Sequence, residues 1–201
     1  VTGMGIIGNT LKDRTGDAGR FEFALDNSTG NSGGVNGYYT PQGANTRTGW
    51  QANIPVRLSF QYDGYTVYKF YGYIDYDGIE VMAGRYGSRD VKVRASNWMK
   101  YASEQKVPNL YRKTNYKIHN AVTDIIDRCD RKPLTIVNRG TGTVTFPTVF
   151  DNTRSDTKAI AEFDKLDFSE FGSIYVAGDQ TGGETLYVED KNWFKDDSAG
   201  A

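Results

Sequence analysis

The segment from Ile54 to Asp75 constrains this chain more than any other. Ile54, Val56, Leu58 and Phe60 alternate with Pro55, Arg57 and Ser59, the period-two pattern of a half-buried strand. Asp63-Gly64 follows with hairpin-turn chemistry, and Thr66-Val67-Tyr68-Lys69-Phe70-Tyr71 leads back. Gly72-Tyr73-Ile74-Asp75 extends that returning strand, where Gly72 marks a bulge or a close backbone approach. Asp77-Gly78 reads as a second turn, with further short strands around Ile79–Ala83 and Val91–Ala95. A run of hairpins of this kind makes a meander or a small barrel.

The flanking segments extend the same reading. Residues 1–19 are glycine-rich, with Ile6-Ile7 as a short strand. Arg20-Phe21-Glu22-Phe23-Ala24-Leu25 alternates as a half-buried strand and ends in the turn residues Asp26–Gly30. Residues 28–49 are almost free of aliphatic side chains and read as a long surface loop anchored by Tyr38, Tyr39 and Pro41. A loop of that length in a compact domain is a functional loop or an interaction arm.

After residue 95 the period changes. Ser96 can cap a helix containing Trp98, Met99 and Tyr101, and Thr114 or Asn115 can cap a second, with Ile118, Val122, Ile125 and Ile126 on one face. Pro133 ends it. Leu134–Val137 and Thr143–Phe146 read as strands around the Gly140-Thr141-Gly142 turn. A third helix is expected from about Asp156 to Asp167, burying Ile160, Phe163 and Leu166. A closing hairpin pairs Ser173–Ala177 with Glu184–Glu189 across Gly182-Gly183. The expected class is therefore α+β. An N-terminal antiparallel β-barrel-like domain, residues 1–95, carries the 28–49 loop. A mixed α+β domain with helices and hairpins, residues 96–201, ends in a frayed polar tail from Lys195.

Composition agrees and narrows the function classes. The chain has 201 residues, enough to bury a sizeable core. Its 23 Gly, 14 Tyr and 10 Phe favour strands joined by decorated turns. The formal net charge of −1 lacks the positive field that a generic nucleic-acid or anionic-membrane surface requires. No apolar run approaches the ~20 residues of a membrane-spanning helix and no signal peptide is read, so a soluble protein is expected. Cys129 is the single cysteine, so neither an intrachain disulfide nor a cysteine zinc cluster is possible.

Several motifs bear on chemistry. Gly3-Met4-Gly5-Ile6-Ile7-Gly8 spells GxGxxG but lacks the preceding strand and following helix of a dinucleotide site. Asp75-Tyr76-Asp77-Gly78-Ile79-Glu80 lacks the further ligands of a calcium loop, so a turn is favoured. His119, the single histidine, has no nucleophile elbow to serve. Cys129 reads as a buried inert thiol. Asp124, Asp127 and Asp130 could supply a glycosidase acid and base, but a solvated helix face gives the same spacing. Asn27-Ser28-Thr29 is a glycosylation sequon without a secretory context. The tyrosine-rich hairpins could stack on sugars, although cross-strand packing accounts for rings scattered over every element. No catalytic, cofactor-binding or metal-ligating residue is assigned, and no enzyme activity or cofactor is expected.

Taken in order, the segments resemble the hub and tail-tip structural proteins of long bacteriophage tails. The resemblance begins at Ala18-Gly19-Arg20-Phe21-Glu22-Phe23-Ala24-Leu25-Asp26-Asn27, followed by a glycine-rich loop with Gly37-Tyr38-Tyr39-Thr40-Pro41. It continues through Val56-Arg57-Leu58-Ser59-Phe60, Tyr68–Asp75 and Val91–Met99. In the second half it runs through Ile118–Ile126, Phe150-Asp151-Asn152-Thr153-Arg154, Ser169–Val176 and Gly183–Glu189. It covers about residues 18–190. The N-terminal strand is short and the chain stops soon after the last hairpin, where fuller hub proteins continue. The resemblance implies a scaffold in the virion tail, assembled in the host cytoplasm. Self-association as a homotrimeric ring would join the tail tube to tip proteins. Gly19, Gly72 and Gly172 would shape strand ends, the 28–49 loop would be an interface arm, and no catalytic residues carry over. The competing expectations are a carbohydrate-binding module for a host glycan and a hydrolase built on the second helix.

Overall fold

The computed structural model describes residues 14–82, 89–140, 142–178, 182 and 184–191. The Gly3–Gly8 motif, the Ile6-Ile7 strand and the tail from Lys195 lie outside them. The fold is α+β, as expected. Alternation builds the first sheet from β1 (Arg20–Asp26), β2 (Pro55–Tyr62), β3 (Tyr65–Val81) and β4 (Asp90–Ser96), in the antiparallel order β1-β4-β3-β2. Phe23 and Leu25 of β1, Ile74 and Ile79 of β3 and Val91 and Val93 of β4 turn to one side, the period-two consequence of the pleat. The sheet curls around the 27–54 loop, whose Tyr39 and Trp50 fill that side. Buried Asn27 fixes the loop's root by accepting from Tyr39 N–H at 2.7 Å and donating to Thr40 Oγ1 at 2.8 Å. Trp50 Nε1 donates to Tyr39 O at 2.7 Å. Trp50 is thus an anchor of the loop alongside the expected Tyr39.

The second part holds α1 (Trp98–Glu104), β5 (Lys113–Lys117), α2 (Ile118–Asp127), β6 (Thr135–Arg139), β7 (Thr145–Val149), α3 (Ala159–Glu170), β8 (Ser173–Ala177) and β9 (Thr185–Glu189). β6-β9-β8 form one sheet and β5-β7 a two-stranded ribbon. Ile118, Val122, Ile125 and Ile126 form the buried face of α2, packed with Trp98, Phe163, Ile174 and Leu186. Each such side chain contributes roughly 1.5–3 kcal/mol by leaving water. Glu170, fully buried at the end of α3, accepts from Thr143 N–H and Thr143 Oγ1 and from Val144 N–H, which satisfies the loop after β6.

The structure corrects several sequence expectations. Asp77-Gly78 does not reverse the chain. β3 runs straight through it, and the register against β4 jumps between Ile74 and Ile79. The turn-forming residues are absorbed as a bulge pressed on β4, where a Cβ on Gly78 would lie 2.4 Å from Arg94 O. Thr114 and Asn115 lie in β5, and α2 starts at Ile118 with no side-chain cap bond. Neither Ser96 nor Asn97 caps α1; Asn97 Oδ1 instead accepts from Gly19 N–H at 2.9 Å. The strands flanking Gly140 do not pair with each other: β6 joins β9 in parallel and β7 joins β5. Helix α3 begins and ends three residues later than read. The β8–β9 hairpin pairs antiparallel, as the sequence indicated.

Gly72 is a close backbone approach. A Cβ there would sit 2.3 Å from Ser96 O and 2.7 Å from the ring of Phe70, which is fully buried. Gly72→Ala is therefore expected to destabilise the fold by about 1–3 kcal/mol through overpacking, read as a lowered urea midpoint with unchanged slope.

Candidate assembly surface

Two features of the first sheet stand out. β1 and β2 end the strand order, and among the described residues no backbone bond pairs the outer edge of either with another strand. Each edge strand carries apolar residues on the curled side: Phe21, Phe23 and Leu25 on β1, Val56, Leu58, Phe60 and Tyr62 on β2. Open edges with one apolar face are templates for pairing with another chain unless something blocks them.

The second feature is the end of the β2–β3 hairpin. Phe60 pairs with Val67 and Tyr62 with Tyr65 across the strands. These four continue the apolar row of Val56, Leu58 and Phe70 beyond the part that the body covers. Phe70 is inaccessible, whereas Phe60, Tyr62 and Tyr65 are 55%, 81% and 69% exposed. Aromatic residues grouped at a strand end in this way match the enrichment of Tyr and Phe in protein interfaces.

The opposite face of the hairpin is fastened to the rest of the fold. Arg57 lies over the rings of Tyr68 and Tyr71 at 4.9 and 5.2 Å. Arg131, from the loop after α2, lies over Tyr73 at 3.8 Å and Tyr101 of α1 at 4.2 Å. Its Nη2 donates to Asn53 Oδ1 at 2.8 Å. Gly178 completes the seat, since a Cβ there would lie 2.4 Å from Tyr68 O. Three of the scattered tyrosines, Tyr68, Tyr71 and Tyr73, thus share one face of the hairpin, but guanidinium groups cover their rings. Burial pushes the Tyr73 and Tyr101 hydroxyls up, so both stay protonated.

Glu184, buried just before β9, adds a charge to this junction. Its Oε1 accepts from Trp98 N–H at 2.9 Å, and desolvation raises its carboxyl to about 7. Asp167 is likewise raised by burial, while Thr15 Oγ1 and Ile174 N–H donate to it. No sequence signal distinguished either acid from an ordinary solvated one.

The residues singled out for chemistry fall into separate environments, apart from Asp124 and Asp127. Asp124 accepts from Tyr116 O–H at 2.8 Å, Asp127 pairs with Lys132, and Asp130 accepts from Gln105 Nε2 at 3.3 Å. Asp127 and Asp130 are exposed; Asp124 and Asp127 line one pocket with Asn109, Tyr111, Lys113 and Arg128, which Asp130 does not enter. His119 is half-buried on α2, where its carbonyl accepts from Thr123 Oγ1. Cys129 is buried and desolvation pushes its thiol up to about 11, the state of an inert thiol. Among the described residues, no group of three or more His, Cys, Asp or Glu could hold a metal ion, and no helix is long and apolar enough to cross a membrane.

No protein-family profile and no curated protein sequence matches the chain. Among solved structures, it is similar to the crystal structure of the prophage MuSo2 43 kDa tail protein from Shewanella oneidensis. The TM-score is 0.54 over 90% of this chain at 9% identity. The chain spans 48% of that protein's length. The likeness is one of fold.

The Glu184 carboxyl gives the fold a pH signature. Its folded value, about 7, lies above its ordinary 4.5. Its contribution to stability is therefore complete below about 4.5 and is lost as pH rises through about 7. Against Glu184→Gln, the wild type should lose stability on the order of 3 kcal/mol between about pH 5 and pH 8, measured by urea denaturation across that range.

Proposed function

We propose that this chain is a non-catalytic structural component of a phage tail, placed at the tip or hub, where a homotrimeric ring joins the tail tube to the distal tip proteins. The observation that carries this reading is the first sheet. It is left open at β1 and β2 and ends in an exposed aromatic hairpin, on a fold shared with a prophage tail protein. Head-to-tail contacts between two different surfaces of one chain close into rings when the rotation allows. Joining the β2 edge of one copy to the β1 edge of the next would continue the apolar side of both strands, Phe21, Phe23 and Leu25 beside Val56, Leu58 and Phe60. The exposed rim of the 28–49 loop would then meet a neighbour while its root stays fixed in the sheet. The protein would reside in the virion tail after assembly in the host cytoplasm.

A carbohydrate-binding role is the weaker reading, because the gathered tyrosines Tyr68, Tyr71, Tyr73 and Tyr101 carry arginine on their rings or pack edge-on to one another. Binding on a glycan array would revive it.

Light scattering coupled to size exclusion should find a concentration-dependent oligomer, and electron microscopy should show rings. Antibody labelling of intact virions should mark the distal end of the tail. A chain that stays monomeric at high concentration and is absent from virions would sink the proposal. Tyr62→Ser together with Tyr65→Ser should weaken self-association about tenfold or more while leaving the monomer's denaturation midpoint almost unchanged, since both rings are exposed.

A further inference from the structure

Arg131 occupies a position with two possible partners. Its carbonyl is fixed by Trp98 Nε1 at 2.8 Å, so the backbone is held while the side chain projects to the junction. There the guanidinium stacks on Tyr73 of β3 and Tyr101 of α1 and donates to Asn53, just ahead of β2. Two of those three partners belong to the first sheet and its loop. Its other terminal nitrogen, Nη1, is buried without a hydrogen-bond partner, and so is Glu184 Oε2. Glu184 is 1% exposed and interacts electrostatically with Arg131 and Tyr73. A buried donor and a buried acceptor of opposite charge, both unsatisfied and electrostatically coupled, are a pair that an ionised carboxylate would draw together in a low-dielectric interior.

We propose that Arg131 is a proton-governed clasp: with Glu184 protonated, Arg131 holds Tyr73 and Asn53 and fastens the first sheet, and with Glu184 ionised it turns to the carboxylate and loosens that hold. Of the other groups around the pair, the Tyr101 side chain also bonds to Arg131 and helps hold it on the sheet side. Trp98 N–H, from α1, donates to Glu184 Oε1 and stays with either state; the backbone of Leu134, ahead of β6, also bonds to the carboxylate. Tyr73 and Tyr101 remain protonated through burial. Asp75 and Lys100, next to Tyr101, pair with each other at 3.1 Å. The clasp is independent of the tail role, because it concerns how the sheet is seated within one chain.

The deciding experiment is an NMR titration of the full chain from about pH 5 to about pH 9, following the Glu184 carboxyl carbon, the Arg131 guanidinium and the Tyr73 ring. All three should move together with one midpoint near 7, the value at which burial places Glu184. In Glu184→Gln the Arg131 and Tyr73 signals should stay at their acid positions throughout. In Arg131→Lys the Glu184 signal should still titrate while Tyr73 no longer follows it. Asp167→Asn, which alters a second raised carboxyl away from the junction, should leave the titration in place. The clasp is overturned if Glu184 titrates while Arg131 and Tyr73 stay still. It is equally overturned if their movement survives Glu184→Gln or vanishes in Asp167→Asn. Should Glu184→Gln fail to fold, the wild-type titration decides alone, since coupled movement supports the clasp and uncoupled movement refutes it.

Discussion

Trp98 is the residue through which the two ends of this fold communicate. It is inaccessible to solvent and packs its ring near Phe163 of α3, with centroids 6.1 Å apart. Its backbone N–H is taken by Glu184 and its indole N–H by Arg131 O. One residue therefore joins α1, α3, the loop after α2 and the approach to β9. It also stands one residue beyond Asn97, whose side chain holds Gly19 at the start of β1. A tryptophan buries a large area and still needs a partner for its one donor; here that need fixes the loop from which Arg131 reaches the sheet.

The first sheet obeys a different constraint. Four strands with one apolar side cannot bury that side by themselves, and closing a barrel requires more strands than this. The chain meets the need locally by folding the 27–54 loop back so that Tyr39 and Trp50 cover the apolar side. That cover packs with Ile54 and Val56 at the base of the hairpin; Phe70 is buried beside Phe21 of β1, while Tyr62 at the hairpin's end stays exposed.

Much of this was legible in the sequence where a pattern is local. The alternation of β1 and β2 and the apolar face of α2 followed directly from period, and the β8–β9 hairpin from two strand-like runs separated by Gly182-Gly183. What could not be read was non-local or exceptional. Asp77-Gly78 has turn chemistry, but a long strand bulged against β4 tolerates the same residues. The parallel pairing of β6 with β9 joins segments far apart in the chain, and nothing near Gly140 signals it. The helix starts were misplaced because Ser96, Thr114 and Asn115 are good cap residues that make no cap here. At the candidate surface, the aromatic content was visible but its gathering on one hairpin was not, because that depends on the register that sets Tyr68, Tyr71 and Tyr73 beside Arg57 and Arg131. Trp50 was missed as an anchor although it lies next to the loop, the one large apolar residue in a polar stretch.

The buried acids carry the last step. Glu162, Asp167, Glu170, Glu184 and Glu189 are all inaccessible or nearly so, and charged groups are rarely buried without partners. Each is given an architectural task. Glu162 receives Thr153 and Lys165, Glu170 the Thr143–Val144 backbone, and Glu189 the Tyr175 hydroxyl and Arg139. Breaking such an anchor leaves an uncompensated charge or unsatisfied backbone, so these positions should tolerate little change even though none lies on an open surface. Through these bonds the carboxylates hold irregular loops against a small core. The side chains left facing outward in a group are aromatic, at the end of a hairpin whose other face is clamped by arginine. A fold arranged in that way would keep the hairpin rigid at the proposed contact, and rigidity there lowers the ordering cost of association.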